Sequence, residues 1–315
     1  MTQDRLQTTL CGITLRNPVI AASGTFGYGI EFADLLDLDS LGGLVTKGLS
    51  INPIKGNPAP RLWHTPAGMI NSVGLQNVGV SAFMREKLPK LRQFSVPVFA
   101  NVFGYTVEDY VQVVRVLESA SGIAAYELNV SCPNTEQGGM FFSSDPELLS
   151  KLVTAVCHVA SRPVIVKLSP NVARIEPFAI AAEQSGADAI SLVNTFVSLA
   201  IDIETRRPRI GAGFGGLSGP AIKPLALRIV YEAAQAVKIP VIGMGGILSG
   251  KDAAEFMIAG ASAVQVGTAN FVNPRATLRI IRQLDRLTQC LRLMNVSELV
   301  GTLRWKSGAC LAGAP

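Results

Sequence analysis

The chain has 315 residues, 48% of them apolar and 16% charged, with a net charge of +5. That is ample material for a large core and excludes a disordered polyelectrolyte, and no run approaches the roughly 18 uninterrupted apolar residues of a membrane span. Two histidines (His64, His158) and five scattered cysteines without a C-x-x-C pair leave little for a histidine triad, a zinc site or an iron–sulfur cluster. Basic residues are spread over stretches such as ETRRPRIG and LRIIRQLDRL rather than forming a stripe interleaved with aromatics, so neither nucleic acid nor membrane is an expected partner. The first residues, MTQDRLQTTLCG, do not read as a secretory leader, and a cytoplasmic location is expected.

Along the chain, two kinds of apolar run alternate. NPVIAASG, VPVFANV, RPVIVKLSPN and IPVIGMGG each start at a proline (18, 97, 163, 240), where no ladder donor is lost. Between them LGGLVTKG, SGIAAYELNV, SGADAISLVN and AGASAVQVGT are reached through glycines, of which Gly122, Gly186 and Gly260 suit the position just past a helix. All eight read as buried parallel strands. Amphipathic segments separate many of them. In SSDPELLSKLVTAVCHVA the spacing predicts a capping box from Ser144 to Glu147, Pro146 in the first turn, and a stripe of Leu148, Leu152 and Val156. GPAIKPLALRIVYEAAQAV predicts a stripe of Ile222, Leu225, Ile229 and Ala233. Eight such units over residues 1–315 predict a single-domain α/β fold, the (β/α)8 TIM barrel, in preference to an open doubly wound sheet. GAGFGG at 211–216 matches G-x-G-x-x-G, but neither a strand before it nor a helix after it is evident; it reads as a flexible loop after the sixth strand.

In such a barrel the chemistry gathers where the strands end. The ends carry Ser23, Lys47, Asn101, Asn129, Lys167, Asn194, Gly245 and Gly267. A lysine can snorkel and an asparagine can cap a turn. Three asparagines and two lysines together, however, make a polar, cationic mouth on an apolar barrel, which is costly without a ligand to satisfy it. GMGGILSGKDAAEF and VGTANF put glycine turns after the last two strands, a place suited to an anion. In ELNVSCPNTEQGG, Cys132 follows the fourth strand on a turn that aims it at the mouth, where Lys47 or Lys167 would favour the thiolate. It is the candidate base or nucleophile.

The ordered set NPVIAASGTFGYG, GNPAPRLWHTPAGMINSVGLQN, ANVFG, YELNVSCPN, VKLSPNV, VNTF, GGLSGPAIKP, VIGMGGI and GASAVQVGTANF covers nearly the whole chain and resembles the family 1 dihydroorotate dehydrogenases. Cys132 stands where family 2 has serine, and Gln76 is similar to the NAD-linked 1B catalytic subunits where 1A enzymes tend to carry proline. Ser72 and Gly48 stand where 1B relatives often have other small residues. The resemblance implies FMN-dependent oxidation of (S)-dihydroorotate to orotate in pyrimidine biosynthesis, with Cys132 taking the C5 proton while the C6 hydride goes to flavin N5. It implies that Ser23, Lys47, Gly48, Asn101, Asn129, Lys167, Val193, Gly219, Gly245, Gly246, Gly267 and Thr268 hold the flavin, Lys167 near its N1/O2 edge. Lys47, Asn71, Ser72, Val73, Gly74, Leu75, Asn129, Asn194 and Thr195 would hold the substrate. Pro133 and Asn134 would fix the loop carrying the thiol, and Gly138 and Gly139 would let it open. A 1B enzyme passes electrons to NAD through a partner subunit carrying FAD and a [2Fe-2S] cluster, in a heterotetramer built on a homodimer of this chain. The alternatives are a fumarate-dependent 1A-type enzyme and, more remotely, a non-redox phosphate-binding barrel lyase.

Overall fold

The computed structural model describes residues 5–131 and 142–305. Eight parallel strands close a barrel: β1 (Val19–Ala21), β2 (Gly43–Val45), β3 (Val98–Val102), β4 (Ala125–Asn129), β5 (Val164–Lys167), β6 (Ala189–Leu192), β7 (Val241–Met244) and β8 (Ala263–Val266). They pair in chain order, with β8 returning to β1. This is the TIM barrel, and each strand falls in one of the eight runs expected. Gly122, Gly186 and Gly260 have φ of 88°, 94° and 121°, the left-handed turn that ends a helix ahead of a strand.

The strands bury both faces, but the faces differ. Side chains alternate along a strand, and Val19, Val98, Tyr126, Val164, Ile190 and Val241 face outward into the core shared with the helices. Facing inward, one residue per strand forms a separate apolar layer: Ile20, Val45, Phe99, Ala125, Ile165, Ala189, Ile242 and Ala263. Leu10 and Leu15, from the hairpin Thr8–Leu10/Ile13–Leu15, close that layer at the N-terminal ends of the strands. Two residues further along, the same inward face reads Ala22, Lys47, Asn101, Glu127, Lys167, Ser191, Met244 and Gln265. The interior thus passes from hydrocarbon to polar groups in one step of the pleat.

The surrounding elements correct several expectations. Helix Pro146–Cys157 is capped by Asp145, whose carboxylate accepts from the Glu147 N–H at 2.8 Å, rather than by Ser144. Aspartate competes well with serine as a cap, and Pro146 then takes the first turn. In helix Lys223–Ala236 the buried stripe is Ala226, Ile229, Val230 and Ala233, while Leu225 is exposed. Residues 211–216 are not simply a loop. Gly215 opens strand Gly215–Ser218, which sits in a four-stranded antiparallel sheet between Phe196–Ser198 and Gly68–Asn71, with Leu62–Thr65 at its edge. This sheet is assembled from the connections after β2 and β6. Among the described residues the β1–β2 connection holds only the short 3-10 turns Ile30–Phe32 and Leu38–Ser40.

Leu15 is fully buried at the closed end of the barrel. Leu15→Ala is expected to destabilise the chain by about 2–5 kcal/mol, read as a lower urea midpoint with an unchanged circular dichroism spectrum before the transition.

Candidate active site

At the C-terminal ends of the strands lies a cleft with two lobes. The larger, about 520 Å³, is lined by Ser23, Lys47, Gly48, Asn71, Ser72, Val73, Gly74, Leu75, Asn101, Asn129, Lys167, Asn194 and Thr195, together with Asn57, Gln76, Tyr105 and Ser131. The smaller, about 180 Å³, is lined by Val193, Gly219, Gly245, Gly246, Gly267 and Thr268. Ser23, Asn71, Val73, Lys167, Asn194 and Thr195 border both, so the lobes are continuous. Every site residue expected from the sequence is on this wall except Cys132, which lies outside the described residues with Pro133, Asn134, Gly138 and Gly139. Ser131, directly before Cys132 in the chain, borders the larger lobe.

The polar wall is cross-linked. Asn194 Nδ2 donates to Ser131 Oγ at 2.9 Å, and Ser131 Oγ donates to Asn129 Oδ1 at 3.1 Å. Asn71 Nδ2 donates to the Gly216 carbonyl at 3.2 Å, across two paired strands of the antiparallel sheet. Gly216 has to lack a side chain, because a Cβ there would lie 1.9 Å from Thr195 Oγ1. In the smaller lobe, Thr268 Oγ1 donates to Ser218 Oγ at 2.8 Å, and Gly245 and Gly246 turn with φ of 125° and 76°. A Cβ on Gly267 would meet nothing closer than Ala22 Cβ at 3.7 Å, so the glycine leaves backbone open to the cavity.

Sequence reasoning missed the group beneath this wall. Glu127, fully buried on β4, accepts from Asn101 Nδ2 at 2.7 Å and lies 3.8 Å from Lys167 Nζ through Oε1. Its Oε2 accepts from Ser191 Oγ at 3.0 Å and Gln265 Nε2 at 2.6 Å. The signal was present in the alternation Ala125, Glu127, Asn129. Asn101 Nδ2 is engaged by Glu127, and its Oδ1 is a buried acceptor without a partner on a residue that lines the larger lobe. Such an atom is costly unless a ligand N–H reaches it.

Lys47 is half-buried, and its pKa is lowered, first by burial and then by the neighbouring Arg61 guanidinium. Arg61 is held by the carbonyls of Asn57 and Lys55 and donates from Nη1 to Gln76 Oε1 at 2.8 Å. Among the described residues, Cys11, Cys157 and Cys290 are not part of the cleft lining. Burial pushes the Cys11 thiol up to about 12 and the Cys157 thiol up to about 11, with Asp188 adding to both.

The dihydroorotate dehydrogenase family model matches residues 5–288. The chain belongs to the dihydroorotate dehydrogenase family. It is 66% identical to a Solibacter usitatus protein named "Putative dihydroorotate dehydrogenase A (fumarate)", over 96% of this chain and 99% of the relative. It is 50% identical to the dihydroorotate dehydrogenase B (NAD(+)) catalytic subunit of Geobacter sp., over 96% and 99%. It is 51% identical to that of Thermoanaerobacter pseudethanolicus, over 95% and 99%. No helix among the described residues is long and apolar enough to cross a membrane.

The lowered pKa of Lys47 has a definite sign for binding. The ammonium attracts a carboxylate at low pH and is lost as pH rises through a value below the ordinary lysine figure of about 10.4. With orotate as the carboxylate probe, affinity is expected to fall at lower pH than a free lysine would dictate. Arg61→Gln, by removing the neighbouring cation, is expected to move that fall to higher pH in fluorescence titrations.

Proposed function

We propose that this chain is the FMN-bearing catalytic subunit of an NAD-linked dihydroorotate dehydrogenase, oxidising (S)-dihydroorotate to orotate. The observation that carries the reading is the cleft floor: the partnerless acceptor Asn101 Oδ1 and the ammonium of Lys167, on the two barrel strands that flank β4 and both held by Glu127. An oxidised isoalloxazine presents one ring N–H among several carbonyl and imine acceptors, and an acceptor and a cation on one floor suit that edge. The glycine-walled smaller lobe suits a phosphate, so Gly219, Gly245, Gly246, Gly267, Thr268 and Val193 would hold that end. Ser23, Lys47, Gly48, Asn101, Asn129 and Lys167 would hold the ring. FMN, when bound, supplies the two-electron acceptor for the hydride at C6.

The remaining chemistry belongs to this chain. A dihydropyrimidine carrying two amide groups and a carboxylate needs paired donors and acceptors plus a cation, which Asn71, Asn129, Asn194 and Lys47 offer on one wall. The backbone and side chains of Ser72, Val73, Gly74, Leu75 and Thr195 close around it. Cys132, next in the chain after the cleft residue Ser131, takes the proton from C5. Electrons would leave through a partner subunit carrying FAD and a [2Fe-2S] cluster. Gln76 and the names of relatives near 50% identity support the NAD-linked reading. The 66% relative, whose name specifies fumarate, supports the second reading, in which the lone chain suffices. The assembly would be a homodimer of this chain within a heterotetramer, in the cytoplasm.

The purified chain is expected to be yellow and to be bleached by dihydroorotate without oxygen; a colourless preparation that takes up no FMN would overturn the reading. Turnover with NAD only when the partner is added supports the NAD-linked assignment, whereas fumarate turnover by the chain alone would replace it. Cys132→Ala is expected to keep the flavin but to slow its bleaching by about 10² to 10⁴ in stopped-flow absorbance.

A further inference from the structure

Glu127 is a buried carboxylate that none of these roles uses. It accepts three hydrogen bonds, one on Oε1 and two on Oε2, and its Oε1 also lies 3.8 Å from an ammonium. Asn101, Ser191 and Gln265 are neutral, and the fourth partner is the cation Lys167. Lys167 borders both lobes, so the carboxylate is one side chain away from whatever occupies them. If hydrogen bonding were its whole purpose, a neutral group would serve. A glutamine at 127 could donate to Gln265, whose Oε1 has no partner and whose amide can turn over to accept. What glutamine cannot supply is a negative charge under the ammonium.

We infer that Glu127 is a positioning residue: it holds Lys167 at the cleft floor, offsets part of its charge, and so sets the reduction potential of the flavin held there. The inference rests on the FMN reading above. An ammonium facing the ring stabilises the negative charge that reduction places on it, and a carboxylate 3.8 Å behind the ammonium reduces that pull. A flavin that hands its electrons onward is kept from being trapped in its reduced form by this counter-charge.

The test is the midpoint potential of bound FMN in the wild type, Glu127→Gln, Glu127→Asp and Ser191→Ala, with FMN affinity measured alongside. Glu127→Gln keeps the shape and loses the charge; the reduced form is expected to gain at least about tenfold, a rise of about 30 mV for two electrons. Glu127→Asp keeps the charge and loses reach; its potential is expected to stay within about threefold, about 14 mV, of the wild type. A strut would behave the opposite way, with the shortened aspartate more disruptive than the isosteric glutamine. Ser191→Ala removes a neutral donor from the carboxylate and is expected to cost the reduced form about threefold, a fall in potential of about 14 mV, which decides the matter if Glu127→Gln does not fold. Flavin bound at an unmoved potential in Glu127→Gln, or in Ser191→Ala where the glutamine variant does not fold, overturns the role of Glu127 and leaves the enzyme reading standing. An equal shift in Glu127→Asp and Glu127→Gln overturns it likewise. A wild type that binds no flavin overturns both.

Discussion

The carboxylate of Glu127 is the interaction on which the cleft depends. Its partners come from β3, β5, β6 and β8, so with β4 five of the eight barrel strands meet at one side chain. Removing one member of a buried ion pair typically costs about 3–5 kcal/mol, because the charge left behind has no solvent. Here the geometry is over-determined, and the amide of Asn101 and the ammonium of Lys167 are held before any ligand arrives. Preorganised groups of this kind need no rearrangement when charge develops beside them.

The barrel itself was legible because its strands are punctuated by residues with few conformational choices. Proline marks four strand starts and glycine most of the rest, and the eight predicted runs contain the eight strands. The cleft lining was legible too, since residues at strand ends share a rim. Glu127 was not, because AAYELNV reads as one continuous buried run. Only separating Ala125, Glu127 and Asn129 from Tyr126, Leu128 and Val130 shows that one face of β4 carries polar groups into the interior. Helix caps were less legible for a different reason: in SSDPE the serines and the aspartate can all cap, and tertiary placement chooses Asp145. Leu225 was misplaced because a helical stripe can be shifted by one position without losing its period, and Ala226 occupies the buried place.

GAGFGG shows how a motif can mislead in both directions. It is not a dinucleotide loop, yet it is not merely flexible, since Gly215 and Gly216 lie in a strand that pairs with Ile70 and Asn71. The pairing partners come from a connection more than a hundred residues away, which local pattern does not encode. That sheet joins Asn71 to Thr195 through one short piece of backbone, so residues from two distant connections keep a fixed spacing across the larger lobe. Arg61 braces the same region as a fork, its donors shared among two carbonyls and Gln76.

The hairpin carrying Leu10 and Leu15 stoppers the barrel at the end opposite the cleft. A tunnel through the axis is thereby foreclosed. Small molecules that visit the cleft have to come and go across the rim of strand ends, so successive visitors are separated in time, or by sectors of one rim, rather than by opposite faces of the molecule.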